Sequence, residues 1–266
     1  MENINSSGKI KNYQDEREYL KNAAETGNAS LIRQFLEKYP GEQFEDTIKV
    51  GFYAACIYSN EEAIAQFFKP PGYISPETAE TGLHYAASRG KNEIVAYLLE
   101  KSTNPEMALT TAAIYGHKET TELILDSVDV SQDTYGLALY HAAAQGNRNV
   151  CEILVERGAT LDQKDFALFA ASNYGKNDVV EYLLEKRGRC RPALKYAAQE
   201  GHTDVCQTLL NSGDYDLASV KEAFEFAKNT NNDDIGQMIK EYVEAQKTRL
   251  GAEKDKLLSR DKDLDR

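Results

Sequence analysis

The stretch Thr81–Glu100, TGLHYAASRGKNEIVAYLLE, decides the fold. It places Leu83, a small pair at Ala86–Ala87, Gly90, and then Ile94, Val95, Leu98 and Leu99. The spacing of the last four is that of one helix face. Gly90 supplies a positive-φ position that ends a preceding helix. Glu93 then falls in the first turn of the next helix, where its charge favours the positive end of the dipole. The two alanines let a second helix approach closely. Such a helix-turn-helix cannot bury its own apolar faces and needs copies stacked against it.

The copies are there. LTTAAIYGHKETTELIL starts at Leu109, LYHAAAQGNRNVCEILV at Leu139, LFAASNYGKNDVVEYLL at Leu168 and LKYAAQEGHTDVCQTLL at Leu194. LKNAAETGNASLIRQFL from Leu20 is fainter. FYAACIYSNEEAIAQFF from Phe52 carries Ser59 in the Gly slot, and AFEFAKNTNNDDIGQMI from Ala223 carries Thr230 there. The slots, 27, 59, 90, 116, 146, 175, 201 and 230, are separated by 32, 31, 26, 30, 29, 26 and 29 residues, with a mean of 29. A repeat of this length means a stacked array rather than one globular core.

Thr81, Leu83, His84, Ala86, Ala87 and Gly90 resemble the ankyrin signature Thr-Pro-Leu-His-x-Ala-Ala followed by Gly, with Gly82 where Pro is usual. The resemblance covers about Tyr19 to Tyr242. It implies an all-α, ankyrin-repeat-like solenoid of stacked helix-turn-helix units. The family repeat is near 33 residues. The shorter period here predicts short or missing β-hairpin fingers, with both helices intact. Plain turns are expected in the nine-residue gaps Leu99 to Leu109 and Leu184 to Leu194. The tetratricopeptide solenoid fits less well in phase and in its aromatic signature.

The expected organisation has three parts. Residues 1–10 form a disordered N-terminus. Residues 11–245 form the repeat domain, centred on 20–36, 52–68, 83–99, 109–125, 139–155, 168–184, 194–210 and 223–239. Residues 246–266 form a charged helix extension or tail. Lys11 to Asn22 is expected to be helical and to start the stack. The tail from Lys247 has seven basic and five acidic residues. The whole 266-residue chain carries −12, with 31 basic and 43 acidic residues. The repeat body therefore carries −14.

That charge disfavours nucleic-acid backbones, which need a basic face. The longest apolar run, Phe52 to Tyr58, falls far short of the roughly 20 residues of a membrane span. MENINSSGKIKN has no apolar signal core. A cytoplasmic, monomeric protein is the expectation.

No Walker, nucleophile-elbow or dinucleotide motif is present. The chain is read as non-catalytic, with no cofactor and no metal. Cys56, Cys151, Cys190 and Cys206 form no CxxC pair and no zinc spacing. Cys151 and Cys206 hold one slot two repeats apart. At roughly 8–10 Å per packed layer they are too distant to bridge. Among the histidines, His117 and His202 follow the Gly, and His141 precedes an Ala pair. By resemblance, His84 has a buried hydrogen-bonding role.

The resemblance further implies a protein partner on the concave face, where the two residues before the Gly lie. The second of them reads Thr26, Tyr58, Arg89, Tyr115, Gln145, Tyr174, Glu200 and Asn229. Tyr and Arg are favoured in interface hot spots. Tyr58, Arg89, Tyr115 and Tyr174, with Ile57 and Ile114, are the expected partner-binding residues. The alternative is ordinary stacking of Tyr rings between repeats. Lys186, Arg187, Arg189 and Arg191 form a basic island suited to an acidic peptide or phosphate. The alternative there is a solvated loop paired with Glu181 and Glu185. A scaffold, adaptor or inhibitor is the leading function. The divergent repeats also resemble ankyrin effectors that intracellular bacteria inject into host cells, which would put the chain in the host cytosol. An enzyme or enzyme regulator that selects its substrate through the solenoid is the other reading.

Overall fold

The computed structural model describes residues 13–40, 42–58, 60–69, 73–213 and 215–264, with side chains for 15–40, 43–58, 60–69, 73–213 and 215–249. The readings for residues 1–10 and Ser59 lie outside the described residues. The described residues form sixteen α-helices, one 3-10 turn at Glu42–Phe44 and no strand.

The chain divides into two compact units, Met1–Ala138 and Leu139–Arg266. The first contains α1 (Tyr13–Glu25), α2 (Ala29–Lys38), α3 (Glu45–Tyr58), α4 (Glu61–Phe68), α5 (Pro76–Ser88), α6 (Asn92–Leu99), α7 (Met107–Tyr115) and α8 (Lys118–Ser127). The division falls inside α9 (Gln132–Gln145). The second unit contains α10 (Arg148–Glu156), α11 (Leu161–Asn173), α12 (Asn177–Glu185), α13 (Arg191–Glu200), α14 (Thr203–Ser212), α15 (Leu217–Asn229) and α16 (Asp233–Leu264). In the first unit α1, α3, α5 and α7 touch in series as one layer, and α2, α4, α6 and α8 as another. In the second, α11, α13 and α15 form one layer and α10, α12, α14 and α16 the other. Over its described residues the stretch Lys11 to Asn22 is helical and belongs to α1, the first helix of the first repeat.

Six of the helix pairs turn in the same way. Gly27, Gly90, Gly116, Gly146, Gly175 and Gly201 all have positive φ. The next residue's N–H reaches back to the first residue of the small pair: Lys91 to Ala86 O at 3.1 Å, His117 to Ala112 O at 3.0 Å, Lys176 to Ala171 O at 2.8 Å. This is the Schellman closure of a helix end. In the last repeat the left-handed residue is Asn231, at φ 58, rather than Thr230. Asn232 N–H accordingly bonds Ala227 O at 2.8 Å. The register there is one residue later than the apolar pattern suggests, and Asn tolerates the conformation in place of Gly.

The residue after the turn also ties one repeat to the preceding one. His117 Nε2 lies 2.9 Å from Ser88 O, and His202 Nε2 lies 3.1 Å from Asn173 O. Asn232 Nδ2 donates to Ala198 O at 2.9 Å and Gln199 O at 3.1 Å. These side chains satisfy carbonyls that the end of a first helix leaves unpaired.

A third small position completes the packing. The residue before the repeat Leu is Gly51, Gly82, Ala108, Ala138, Ala167, Ala193 and Ala223 in successive repeats, and all seven are buried. Only the first repeat differs, with an exposed Tyr19. A Cβ on Gly51 would come within 2.6 Å of Leu20 Cγ, and one on Gly82 within 2.5 Å of Phe52 Cε1. First helices therefore meet through backbone where the opposing side chain is large.

The missing fingers have a local cause. Ser75 caps α5 by accepting Thr78 N–H at 3.2 Å, and Pro76 follows as its first residue. Thr160 and Gln163 form a reciprocal capping box at α11. Asp216 caps α15 by accepting Ser219 N–H at 2.8 Å. Such caps satisfy the orphan donors of a helix start. They begin the first helix several residues before the repeat Leu, where a finger would run. The two 26-residue steps arise differently from the expectation. There α7 has nine residues and α13 has ten, against thirteen in α5 and α11. The first helix itself loses about one turn.

The four thiols are free. Burial pushes Cys151 and Cys206 up to about 12 and Cys190 to about 11, and Cys56 is raised as well. An unfolded thiol ionises near 8.5. The protonated thiols thus contribute stability that is fully present below that value and is lost as pH rises towards 11 to 12. At mildly alkaline pH a disulfide reagent should label half-buried Cys190 first. Cys56, Cys151 and Cys206 should react only after urea is added. Equal native-state rates for all four would contradict this.

Candidate functional site

In the first unit an open groove of about 600 Å³ runs between α5 and α7. Its α5 wall is one helical face, Glu77, Glu80, Thr81, His84, Tyr85 and Ser88, at the i, i+3/i+4, i+7, i+11 spacing that the caps of α5 make possible. Its α7 wall is Thr111, Ile114 and Tyr115.

His84 sits within this wall. Its Nε2 is shielded from solvent and has no hydrogen-bond partner. The hydrogen-bonding role implied for His84 is instead filled by His117 and His202, at the turns. Burial lowers the His84 pKa against an opposing pull from Glu80. Thr103 Oγ1 donates to Glu80. Glu77 has its carboxyl held below the usual value by its own backbone N–H and by Ser75. Tyr85 leans on Tyr53, with ring centroids 5.3 Å apart at 50°, and stays 40% exposed.

The residues singled out from sequence are distributed as follows. Ile114 and Tyr115 line the groove; Ile57, Tyr58 and Arg89 do not. Tyr58 ends α3, and Arg89 is the exposed residue that closes α5. Tyr174 closes α11 in the second unit. Tyr58, Tyr115 and Tyr174 are 55%, 60% and 53% exposed, whereas Ile57 and Ile114 are half-buried. Aromatic pairs among the described residues involve other rings, such as Phe169 with Tyr196 at 5.0 Å. The sequence reading missed Glu77, Glu80, Thr81 and Tyr85. The signal available was their shared helical face ahead of the Ala pair.

In the second unit Lys186, Arg187, Arg189 and Arg191 are all exposed around the α12–α13 turn. Arg191 Nη1 lies 3.6 Å from Asp216 Oδ2, and Arg189 N–H donates to Asp165 Oδ1 at 2.5 Å. Lys186 Nζ sits 5.5 Å from the Tyr182 ring centroid. Carboxylates beside the island include Asp165 in α11 and Asp216, the N-cap of α15. Glu181 accepts from Asn177 Nδ2 at 2.9 Å. An exposed pair such as Arg191–Asp216 adds little stability.

Among the described residues no three His, Cys, Asp or Glu side chains converge as a metal set, and no helix is long and apolar enough to cross a membrane.

Known proteins match parts of the chain. The Transient receptor potential cation channel subfamily A member 1 homolog of Caenorhabditis elegans is 27% identical over 157 residues, 51% of this chain and 13% of that protein. Diacylglycerol kinase iota of Rattus norvegicus is 40% identical over 83 residues, 31% of this chain and 6% of the kinase. Ankyrin repeat and KH domain-containing protein mask-1 of Caenorhabditis elegans is 29% identical over 155 residues, 52% of this chain and 6% of that protein. The matched segment is thus a small part of each relative. The family model for ankyrin repeats matches residues 83–165 and 161–219, just over half of the chain. With this match, the Schellman turns and the paired helical layers, the chain belongs to the ankyrin-repeat family of protein-interaction modules.

Proposed function

We propose that the chain is a non-catalytic recognition module, a scaffold, adaptor or inhibitor. It would take its protein partner on the ends of its first helices, through Tyr58, Arg89 and Tyr115 in the first unit and Tyr174 in the second. The observation that carries this reading is the exposure of the three Tyr residues, each more than half open to solvent close to a fully buried pair of small residues, Ala55–Cys56, Ala112–Ala113 or Ala171–Ser172. Large rigid rings of this kind supply interface area at low entropic cost. The proposal includes a cytosolic location, supported by four free thiols of the kind a reducing compartment keeps.

The test is affinity capture from a cell lysate with the wild-type chain and with the Tyr58→Ala/Tyr115→Ala/Tyr174→Ala variant. The expected result is loss of the specifically captured protein by about tenfold or more, since a hot-spot ring contributes about 2 kcal/mol. Capture unchanged by the triple substitution would remove these residues from the interface.

A further inference from the structure

We propose that the α5–α7 groove takes a basic, extended segment of a partner protein, which seats a Lys or Arg side chain against the Glu77 and Glu80 carboxylates and runs on along the Tyr85 and Tyr115 rings. This deepens the reading above and rests on it, by naming the chemistry of the partner.

Four observations combine here. The groove has a volume of about 600 Å³ and is open at the surface, so an extended chain can lie in it. Its lining contains two carboxylates and neither Lys nor Arg. No cation among the described residues lies within salt-bridge distance of Glu77 or Glu80, although ion pairs occur elsewhere in the same unit, as between Lys49 and Glu45. Tyr85 and Tyr115 expose 40% and 60% of their surface. Carboxylates with no cation of their own attract one by their field, and exposed aromatic faces along the same groove add the attraction of their quadrupole. His84 lies in the same wall, with its Nε2 shielded from solvent and unpartnered. Its lowered pKa keeps the ring neutral near pH 7, so it adds no opposing positive charge. Ile114 supplies an apolar flank. The occupant that fits is cationic with aliphatic neighbours. The surrounding −12 chain would also speed its approach.

The probe is a fluorescein-labelled peptide of alternating Arg and Leu, titrated against the full chain by fluorescence anisotropy. A peptide of alternating Glu and Leu serves as its counterpart. The groove variant is Glu77→Gln/Glu80→Gln. The field control is Glu93→Gln/Glu119→Gln, which removes the same charge from two exposed positions on α6 and α8. The expected result is binding of the Arg peptide only. The groove variant should weaken it about tenfold or more, as for loss of charged hydrogen bonds. The field control should change it less than about twofold. No binding by the wild type, or equal weakening by the two variants, would overturn the proposal. Lysate capture separates the two readings. A partner lost with the triple Tyr variant yet retained by Glu77→Gln/Glu80→Gln would uphold the recognition module and reject the basic groove. A partner retained by the triple Tyr variant would reject the Tyr surface.

Discussion

Replacing Phe52 with alanine is expected to destabilise the first unit by about 3–5 kcal/mol, the range for deleting a buried aromatic ring. The ring is fully buried. It lies edge-on to Phe67 at 5.6 Å and Phe68 at 5.7 Å between centroids, joining α3 to α4. On its other side it faces the bare Cα of Gly82 in α5. No rotamer of a smaller side chain fills all of that space, so a cavity remains. The same contact predicts a coupled effect. Gly82→Ala in the wild type puts a Cβ 2.5 Å from Phe52 Cε1, with Cys56 Sγ at 2.9 Å. Overpacking of this kind costs about 1–3 kcal/mol. In the Phe52→Ala background that methyl borders the cavity and keeps only the Cys56 contact, so its penalty should be clearly smaller than in the wild type. Urea unfolding followed by circular dichroism gives all four corners of the double-mutant cycle. Additive penalties would show that the two residues do not share this contact.

Gly175→Ala is expected to cost about 2–3 kcal/mol in the second unit. Two terms contribute. The φ of +67° is unfavourable for an L-residue by about 1–2 kcal/mol. The new Cβ would also lie 2.6 Å from His202 Nδ1, displacing a ring that reaches Asn173 O at 3.1 Å. A lost hydrogen bond of this kind costs about 1 kcal/mol. Gly213 separates the terms. Its φ is +74°, but nothing lies within 4 Å of its would-be Cβ. Gly213→Ala should therefore cost only the backbone part, about 1–2 kcal/mol. In a His202→Ala background the Gly175 penalty should fall to the Gly213 value. Equal penalties at both glycines in the wild type would mean that the His202 ring is not held by this contact.

The predictions draw on different kinds of information. The Gly175 turn was legible in the chain alone. A helix that ends in Gly with positive φ is closed by backbone atoms five or six residues apart, so its signature lies within one short stretch. The same holds for the Ala pair and for the apolar spacing of the second helices. Repetition of that stretch was enough to establish an all-α stack. Even the last turn is explained locally, because Asn231 is the kind of residue that replaces Gly in the left-handed region. Reading the slot at Thr230 followed the apolar phase, where the backbone bond to Ala227 marks the true register.

What stacking brings together was not legible, because the partners lie some thirty residues apart and periodicity does not say which atoms meet. Phe52 and Gly82 match only once α3 and α5 are in contact. His117 and His202 find carbonyls of the preceding repeat, while His84, in the slot that implied a hydrogen bond, has its Nε2 left unpartnered in a groove wall. Helix starts also depended on caps at Ser75, Thr160 and Asp216, and the one at Ser75 brings Glu77 and Glu80 into α5 on one face with Tyr85. The sequence by itself determined the repeating unit, its period and its turns, since those rest on short-range backbone geometry. Only the tertiary structure decided where side chains from successive repeats fill space, pair, or stay unpaired in an open groove, since that depends on distances across the stack.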